Sequence, residues 1–246
     1  MKSLTSLALA ALAASALYAV QPTVADGDNR LTWFNPTSED WASRIRLSAG
    51  GFGEFGTELK LLDINQKECK DLYGSRLDLQ VNLLSKRDFN LWVGLGATYT
   101  PEQKYVSYSY TEQGPGYVYN GNEKMEFESY GLRLFTVPEW QVTQQLALGL
   151  RLGVEILHAE ATFTGSDVAV FVGGTESDSW KNRYSDTLVR GIAGLQATWM
   201  FTDHFGLTAY GEGHFGNKMS FKDDGEKWAS FDTTAFEAGL ALTWQF

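Results

Sequence analysis

Cysteine is almost missing from this chain. Cys69 is the only one in 246 residues, so no internal disulfide can form and a disulfide-stapled secreted fold is excluded. Positive charge is also scarce. Twenty Lys and Arg stand against 30 Asp and Glu, and the net charge of −10 removes the electrostatic route to nucleic acid. Long apolar runs are missing once the first 25 residues are passed. The mean hydropathy is −0.23, and no later stretch offers the roughly 18 apolar residues of a helical span. That absence leaves membranes open, because spanning strands alternate and escape such a test. Histidine is limited to His158, His204 and His214, which restricts any catalytic scheme that needs an imidazole base.

The single apolar run opens the chain. Lys2 precedes Leu4 to Val20, and Gln21-Pro22-Thr23-Val24-Ala25 comes next. A positive start, a short apolar stretch and small residues at Thr23 and Ala25 predict a secretory signal peptide over 1–25, cut before Asp26. The alternative, an anchoring helix, falls short of the roughly 20 residues a span requires. No cysteine follows the run, so a lipoprotein is not expected. Residues 26–41, with Asn35-Pro36 and Ser38-Glu39-Asp40, read as an irregular lead-in.

What the chain has in quantity is glycine (25) and aromatic residues (14 %), a mix that suits tight turns and close-packed strands. Apolar residues recur with period two, which marks strands with one greasy face. Eight segments carry the pattern: 43–54, 74–84, 89–100, 126–137, 144–157, 185–201, 205–215 and 236–246. In the second, Leu77, Leu79, Val81 and Leu83 alternate with Arg76, Asp78, Gln80 and Asn82. In the last, Phe236, Ala238, Leu240, Leu242, Trp244 and Phe246 alternate with Glu237, Gly239, Ala241, Thr243 and Gln245. The connections alternate strictly between long (55–73, 101–125, 158–184, 216–231) and short (85–88, 138–143, 202–204). Val168 to Val172 is β-prone but about five residues long, against the roughly 9–11 of a tilted spanning strand, so it belongs to the third long connection. Whether 160–172 forms an outside hairpin stays open.

An even strand number with every long connection at one end is the layout of a transmembrane barrel. The predicted fold is all-β: a closed, antiparallel, eight-stranded up-and-down barrel over 42–246. It should carry four long extracellular loops and three short periplasmic turns, with both termini in the periplasm. Phe89, Trp140, Trp199, Phe201, Phe205, Trp244 and Phe246 gather at the short-turn end, as a periplasmic aromatic girdle would. Arg44, Arg46, Arg76, Arg133, Arg151 and Arg190 share the other face with Asp78, Glu155, Glu212 and Glu237. Turning such an Arg to lipid at mid-bilayer would cost roughly 2–4 kcal/mol, so this face points inward. The lumen of an eight-stranded barrel is just wide enough for side chains, and charges held there must pair. Heights counted from the short turns set Arg46 level with Asp78, and Glu155 level with Arg190. These are the expected ion pairs, with Arg151, Glu212 and Glu237 as further members. Inward Trp92, Phe127, Phe135 and Tyr210 add bulk and argue against an open pore. Strand eight should close on strand one near Arg44 to Ser48.

The terminal strand, ending on Phe246 with Trp244 two residues before it, resembles the C-terminal strand of bacterial outer-membrane barrels. The resemblance implies that Gly239, Leu242, Trp244 and Phe246 form the signal read by the barrel-assembly machinery. With the strand count and loop asymmetry, roughly 42–246 resembles the small eight-stranded outer-membrane proteins: the transmembrane part of OmpA, OmpX, the OmpW group and the opacity-type adhesins. This implies a monomer in the bacterial outer membrane, in contact with lipid and lipopolysaccharide. No peptidoglycan-binding segment follows the strands, unlike full-length OmpA. One activity does not transfer, because a fold does not dictate a function.

Three functions are open. The first is a structural or surface-interaction barrel with a plugged polar interior and an unknown loop-binding partner. The second is a narrow channel or lateral route for small apolar molecules. The third is an outer-membrane hydrolase. Omptin-like chemistry would need Asp223-Asp224 to meet Asp203-His204, which lie at opposite ends. The His-x-Ser of lipid A deacylases is absent, since Glu160, Gly206 and Gly216 follow the three histidines at that offset. Asp178-Ser179 and Ser185-Asp186 could serve a palmitoyltransferase-like site but are common in polar loops. No catalytic residue, cofactor or metal is therefore assigned. His214 beside Glu212 reads as a functional pair or an upper-lumen contact. Asp223-Asp224-Gly225-Glu226 reads as a cation site or a solvated turn, without the full spacing of a calcium loop. Tyr105, Tyr108, Tyr110, Tyr117 and Tyr119 suit partner binding or interfacial packing. Cys69, in the first long connection, reads as a free thiol or an incidental residue.

Overall fold

The computed structural model describes residues 32–33, 45–61, 66–86, 88–223 and 226–246. The expected signal peptide, most of the lead-in and Arg44 lie outside the described residues. So do Asp224 and Gly225, and the side chains of Cys69, Asp223 and Glu226.

Eight strands make the ring: β2 (Ile45–Leu61), β3 (Gln66–Lys86), β4 (Phe89–Gly114), β5 (Tyr117–Gln141), β6 (Leu146–Phe171), β7 (Gly174–Met200), β8 (Phe205–Gly216) and β11 (Ala235–Gln245). Each pairs antiparallel with the next, and β11 returns to β2. Closure falls at Thr243↔Ser48, Trp244↔Leu47 and Gln245↔Arg46, and the Phe246 N–H donates to the Ile45 carbonyl at 3.0 Å. Closure leaves no free strand edge between the short turns and the level of Tyr99 and Arg190. Three short strands complete the set: β1 (Thr32–Trp33) on the short-turn end of β3, and the hairpin β9 (Met219–Asp223) and β10 (Glu226–Asp232).

The period of two sorts the side chains as it must in a barrel. Leu95, Leu132, Leu195 and Leu242 are 63–71 % exposed on the outside, whereas Arg133, Arg151 and Glu155 are at most 1 % exposed inside. Aromatic rings frame the apolar band. At the short-turn end Phe89 meets Trp140 at 5.4 Å, Trp199 meets Phe201 at 5.2 Å, and Trp244 stacks with Phe205 at 5.3 Å and Phe246 at 4.8 Å. A second belt, unforeseen in the sequence, holds exposed Phe55, Tyr73, Tyr99, Tyr130, Phe215 and Phe236. Phe89 to Tyr99, Tyr130 to Trp140 and Phe205 to Phe215 each span ten residues. At about 3.3 Å per residue and a tilt near 40°, ten residues rise roughly 25 Å, the height of an outer-membrane apolar band.

Past the second belt the expected long loops are largely strand. The 101–125 segment is an extension of β4 and β5, turned at Pro115-Gly116 with Gly116 at φ +85°. Val168 to Phe171 joins β6 and pairs with 174–177, so 160–172 does form a hairpin, with 174–185 as its second arm. The length criterion separated this run from the spanning strands but could not show that it prolongs one. The 216–231 connection holds the β9–β10 hairpin, paired to β2 through Ala229↔Leu61 to Asp232↔Glu58. The second short turn is tighter than expected, because Pro138 to Gln141 belongs to β5. Proline has no N–H to give, and the β5–β6 ladder skips Val137 and Pro138.

Above the belt the ring divides. The β3–β4 ladder ends at Ser75↔Tyr99, and the β7–β8 ladder ends at Arg190↔Gly216. At the first seam the Gln103 amide stands in for backbone: it accepts from the Tyr73 N–H at 3.3 Å and donates to the Tyr73 carbonyl at 2.6 Å. At the second, the Ser220 N–H donates to Asp186 at 2.9 Å. The cap is thus two facing sheets, β9-β10-β2-β3 and β4-β5-β6-β7. Phe127, Met125, Phe163, Met219, Phe221 and Phe231 pack between them, with Phe127 stacked on Phe231 at 4.7 Å.

Candidate functional site

The lumen is filled in layers. Nearest the short turns, Arg46 donates twice to Glu139, at 2.8 and 3.1 Å, and to Gln245 at 3.1 Å. The Trp92 indole N–H donates to the same Glu139 at 3.1 Å, and its ring lies 4.0 Å beneath the Arg46 guanidinium. This layer floors a polar cavity of about 340 Å³ that includes Asn82, Asn90, Gln141 and Gln145. Ser48, Thr243, Thr208 and Thr198 then form a hydrogen-bonded chain with links of 3.0, 2.6 and 3.2 Å.

Above that chain sits a continuous ionic network. Arg76 reaches Asp78 at 2.9 Å, Glu212 at 2.7 Å and Glu237 at 3.0 Å. Arg133 reaches Glu155 at 2.9 Å and Glu237 at 2.5 Å, and also bonds Glu212. Arg151 holds Asp78 at 2.6 Å and Gln196 at 3.1 Å. Arg190 holds Glu155 at 2.5 Å and both Glu54 oxygens at 2.9 Å. Flat guanidiniums also lie on aromatic faces: Arg151 over Phe135 at 3.7 Å and Arg76 over Tyr210 at 4.2 Å. Small inner residues make the room. A Cβ on Gly131 would stand 2.1 Å from a Glu155 oxygen, and one on Gly96 2.3 Å from an Asp78 oxygen. The residues that could form a pore are thus bound to one another.

Of the expected pairs, Glu155 and Arg190 lie directly opposite in the β6–β7 ladder and bond at 2.5 Å. The expected Arg46–Asp78 pair is corrected. Arg46 faces Gln80 and Asp78 faces Ser48, one inward step apart, and Arg46 binds Glu139 instead. Register between β2 and β3 is set across a long connection and a bulge between Glu54 and Thr57, so heights counted from short turns did not apply to β2. That bulge, with Gly56 at φ +82°, also turns both Glu54 and Thr57 inward despite their odd spacing. Glu54 keeps the alternation of Arg46 and Ser48, whereas alternation alone could not find Thr57; the glycine was its available signal. Glu139 was missed because Pro138 placed it in a turn. Arg151, Glu212 and Glu237 all enter the network, with Glu212 and Glu237 opposite each other in the β8–β11 ladder.

Glu54, His214 and Glu237 bring three ligand-capable atoms within 4.8 Å of one another. Glu54 is already held by Arg190, and Glu237 by Arg76 and Arg133, so a dication there would enter among three guanidiniums. The histidines do not assemble a catalytic centre. His204 sits in a short turn against the Gln245 carbonyl at 3.0 Å. His158 faces outward, 2.8 Å from Thr187 and 3.6 Å from a Glu160 that Arg183 also holds at 3.2 Å. Asp186 is taken up by the Ser220 amide.

In the cap, Tyr110 donates to Asp167 at 3.0 Å, Tyr117 to Glu112 at 3.2 Å, and Tyr108 to Glu123. Burial, then the bond to Asp167, pushes the Tyr110 phenol above its ordinary range.

Geometry and site together define a transmembrane β-barrel of eight strands, plugged by charge and capped by two sheets. No protein-family model and no curated protein matches the chain. Among solved structures it is similar to Ail, the attachment invasion locus protein of Yersinia pestis, at 15 % identity over 82 % of this chain and 99 % of that one, with a TM-score of 0.39. It is similar to Neisserial surface protein A at 9 %, over 82 % and 97 %, with a TM-score of 0.41. It is similar to the outer membrane protein OprG of Pseudomonas aeruginosa at 11 %, over 83 % and 96 %, with a TM-score of 0.44. At these identities the likeness concerns the fold alone.

Proposed function

We propose that the protein is an outer-membrane surface-interaction barrel: a closed cylinder that holds a four-stranded sheet out from the membrane for a partner. The short turns and both termini face the periplasm, the cap faces outward, and the unit is a monomer met by lipid and lipopolysaccharide. The observation that carries this reading is the upper sheet of β4 to β7. Among the described residues its two outer edges have no ladder partner beyond Tyr99 on β4 and Arg190 on β7, which leaves backbone groups for strand addition. One face of that sheet aligns Tyr108, Tyr110, Tyr119 and Trp180 with Glu123 and Asp167. The register positions of this patch hold five carboxylates and neither Lys nor Arg. Negative charge beside aromatic faces favours a cationic partner by Coulomb attraction and cation–π contact.

The test uses the full chain in lipid nanodiscs and an extended peptide of alternating Arg and apolar residues. Binding should fall several-fold when Glu123, Asp167 and Asp178 become Gln, Asn and Asn, and should weaken with salt. Equal binding by that variant, still folded by heat-modifiable mobility, would remove the cationic partner. Unchanged cell adhesion after deletion of 101–125 would remove the interaction role.

The second reading, a lateral route for small apolar molecules, is favoured by the seam between β3 and β4. There the Gln103 side chain, rather than a backbone ladder, closes the wall just above the aromatic belt. Stable conductance in planar bilayers, or entry of an apolar dye that Gln103→Ala accelerates, would favour it over the first.

A further inference from the structure

We infer that His214 is a buried imidazolium, the fifth cation of the central lumen, whose proton completes the charge balance of the plug. Among the described residues, Arg76, Arg133, Arg151 and Arg190 share the central lumen with Glu54, Asp78, Glu155, Glu212 and Glu237, all at most 5 % exposed. Arg46 and Glu139 form a separate pair that balances by itself. The central set is one positive charge short, and an uncompensated charge in a dry interior is strongly disfavoured.

His214 is 0 % exposed and stands where that charge is missing. Its Nδ1 lies 3.6 Å from Glu54 Oε2, and its Nε2 lies 3.6 Å from both Glu212 Oε1 and Glu237 Oε2. Among the described residues neither nitrogen has a partner at hydrogen-bond distance. A neutral imidazole carries one N–H and one lone pair. Whichever nitrogen held the lone pair, it would face a carboxylate. Only the doubly protonated ring turns an N–H to both sides.

Groups from seven of the eight ring strands agree. Glu54 comes from β2, Arg76 and Asp78 from β3, Arg133 from β5, Arg151 and Glu155 from β6, Arg190 from β7, Glu212 and Tyr210 from β8, and Glu237 from β11. The guanidiniums share these carboxylates with the ring: Arg190 on Glu54, and Arg76 and Arg133 on Glu212 and Glu237. A divalent ion would overshoot the deficit by one charge, whereas a proton closes it.

The test is nitrogen NMR of the full chain, refolded in detergent micelles with labelled imidazoles. The chain has three histidines, and the exposed pair is assigned through His158→Gln and His204→Gln, so the remaining signal belongs to His214 without altering the plug. The expected result is a doubly protonated His214 ring at pH 8, unchanged by zinc or by EDTA. A neutral tautomer at that pH would overturn the inference. So would a His214 signal that moves with zinc and returns on chelation, which would make the site a metal site. A second measurement is the urea midpoint of His214→Gln with and without Glu212→Gln. The double variant should recover part of the midpoint lost in the single one, and a further loss would overturn the charge account.

Discussion

Arg133→Met tests the plug most directly. Arg133 is 1 % exposed and binds Glu155, Glu212 and Glu237 together. Methionine keeps most of the volume and removes the charge and all the donors. Three buried carboxylates then depend on Arg76, Arg151 and Arg190, which already have other partners. Removing one partner of a buried ion pair typically costs about 3–5 kcal/mol, and three carboxylates that each lose a guanidinium place this variant at the upper end. The assay is reversible urea unfolding in phospholipid vesicles, followed by the fluorescence of the eight tryptophans. Lys124→Met is the control. Lys124 meets Glu126 at 3.0 Å on a lysine 44 % exposed, and such pairs contribute about 0–1 kcal/mol. A second substitution, Glu155→Gln, should restore part of the Arg133→Met loss, because it removes a stranded charge. If Arg133→Met costs no more than Lys124→Met, water rather than guanidinium solvates these carboxylates and the plug is open to solvent.

The exterior makes a separate prediction. Leu132 is 67 % exposed, yet Leu132→Arg should destabilise the barrel by about 2–4 kcal/mol in bilayers, where the side chain meets mid-band lipid. Equal stability of the two proteins in vesicles would place that face in water. The cap should respond to alkali. The Tyr110 phenol is raised by burial and then by its bond to Asp167. The unfolded phenol ionises near about 10, so its contribution is fully present below that pH and is lost as pH rises toward the higher folded value. Ultraviolet difference titration should therefore lose its late phase in Tyr110→Phe, and an unchanged late phase would refute the assignment.

The parts that were legible in the sequence are those that depend on neighbours a few residues away. Alternation at Leu77 to Asn82 and Phe236 to Gln245 separates two faces, and one-sided charge tells which face avoids lipid. The same reasoning reached the Glu155–Arg190 contact, since β6 and β7 each have a short turn at the base from which heights can be counted. It failed at Arg46 and Asp78, because no short turn lies at the base of β2 to count from. It also failed at Thr57, which a bulge turns inward against the alternation, and at Glu139, hidden behind Pro138. Cap residues read as loop because their strands are too short to span by themselves, although they prolong strands that do.

By itself the sequence determined the eight strands, the outward apolar face, the asymmetry of the two ends and the closure of the last strand on the first. All four follow from periodicity and from the cost of charge in lipid. Only the tertiary structure decided which charges meet, because Arg46 and Glu139, or Arg76 and Glu237, are brought together across the lumen by strand register rather than by spacing. It also decided that the ring splits above the second aromatic belt. Ladder bonds end where neighbouring strands diverge, and the apolar residues freed there pack sheet against sheet.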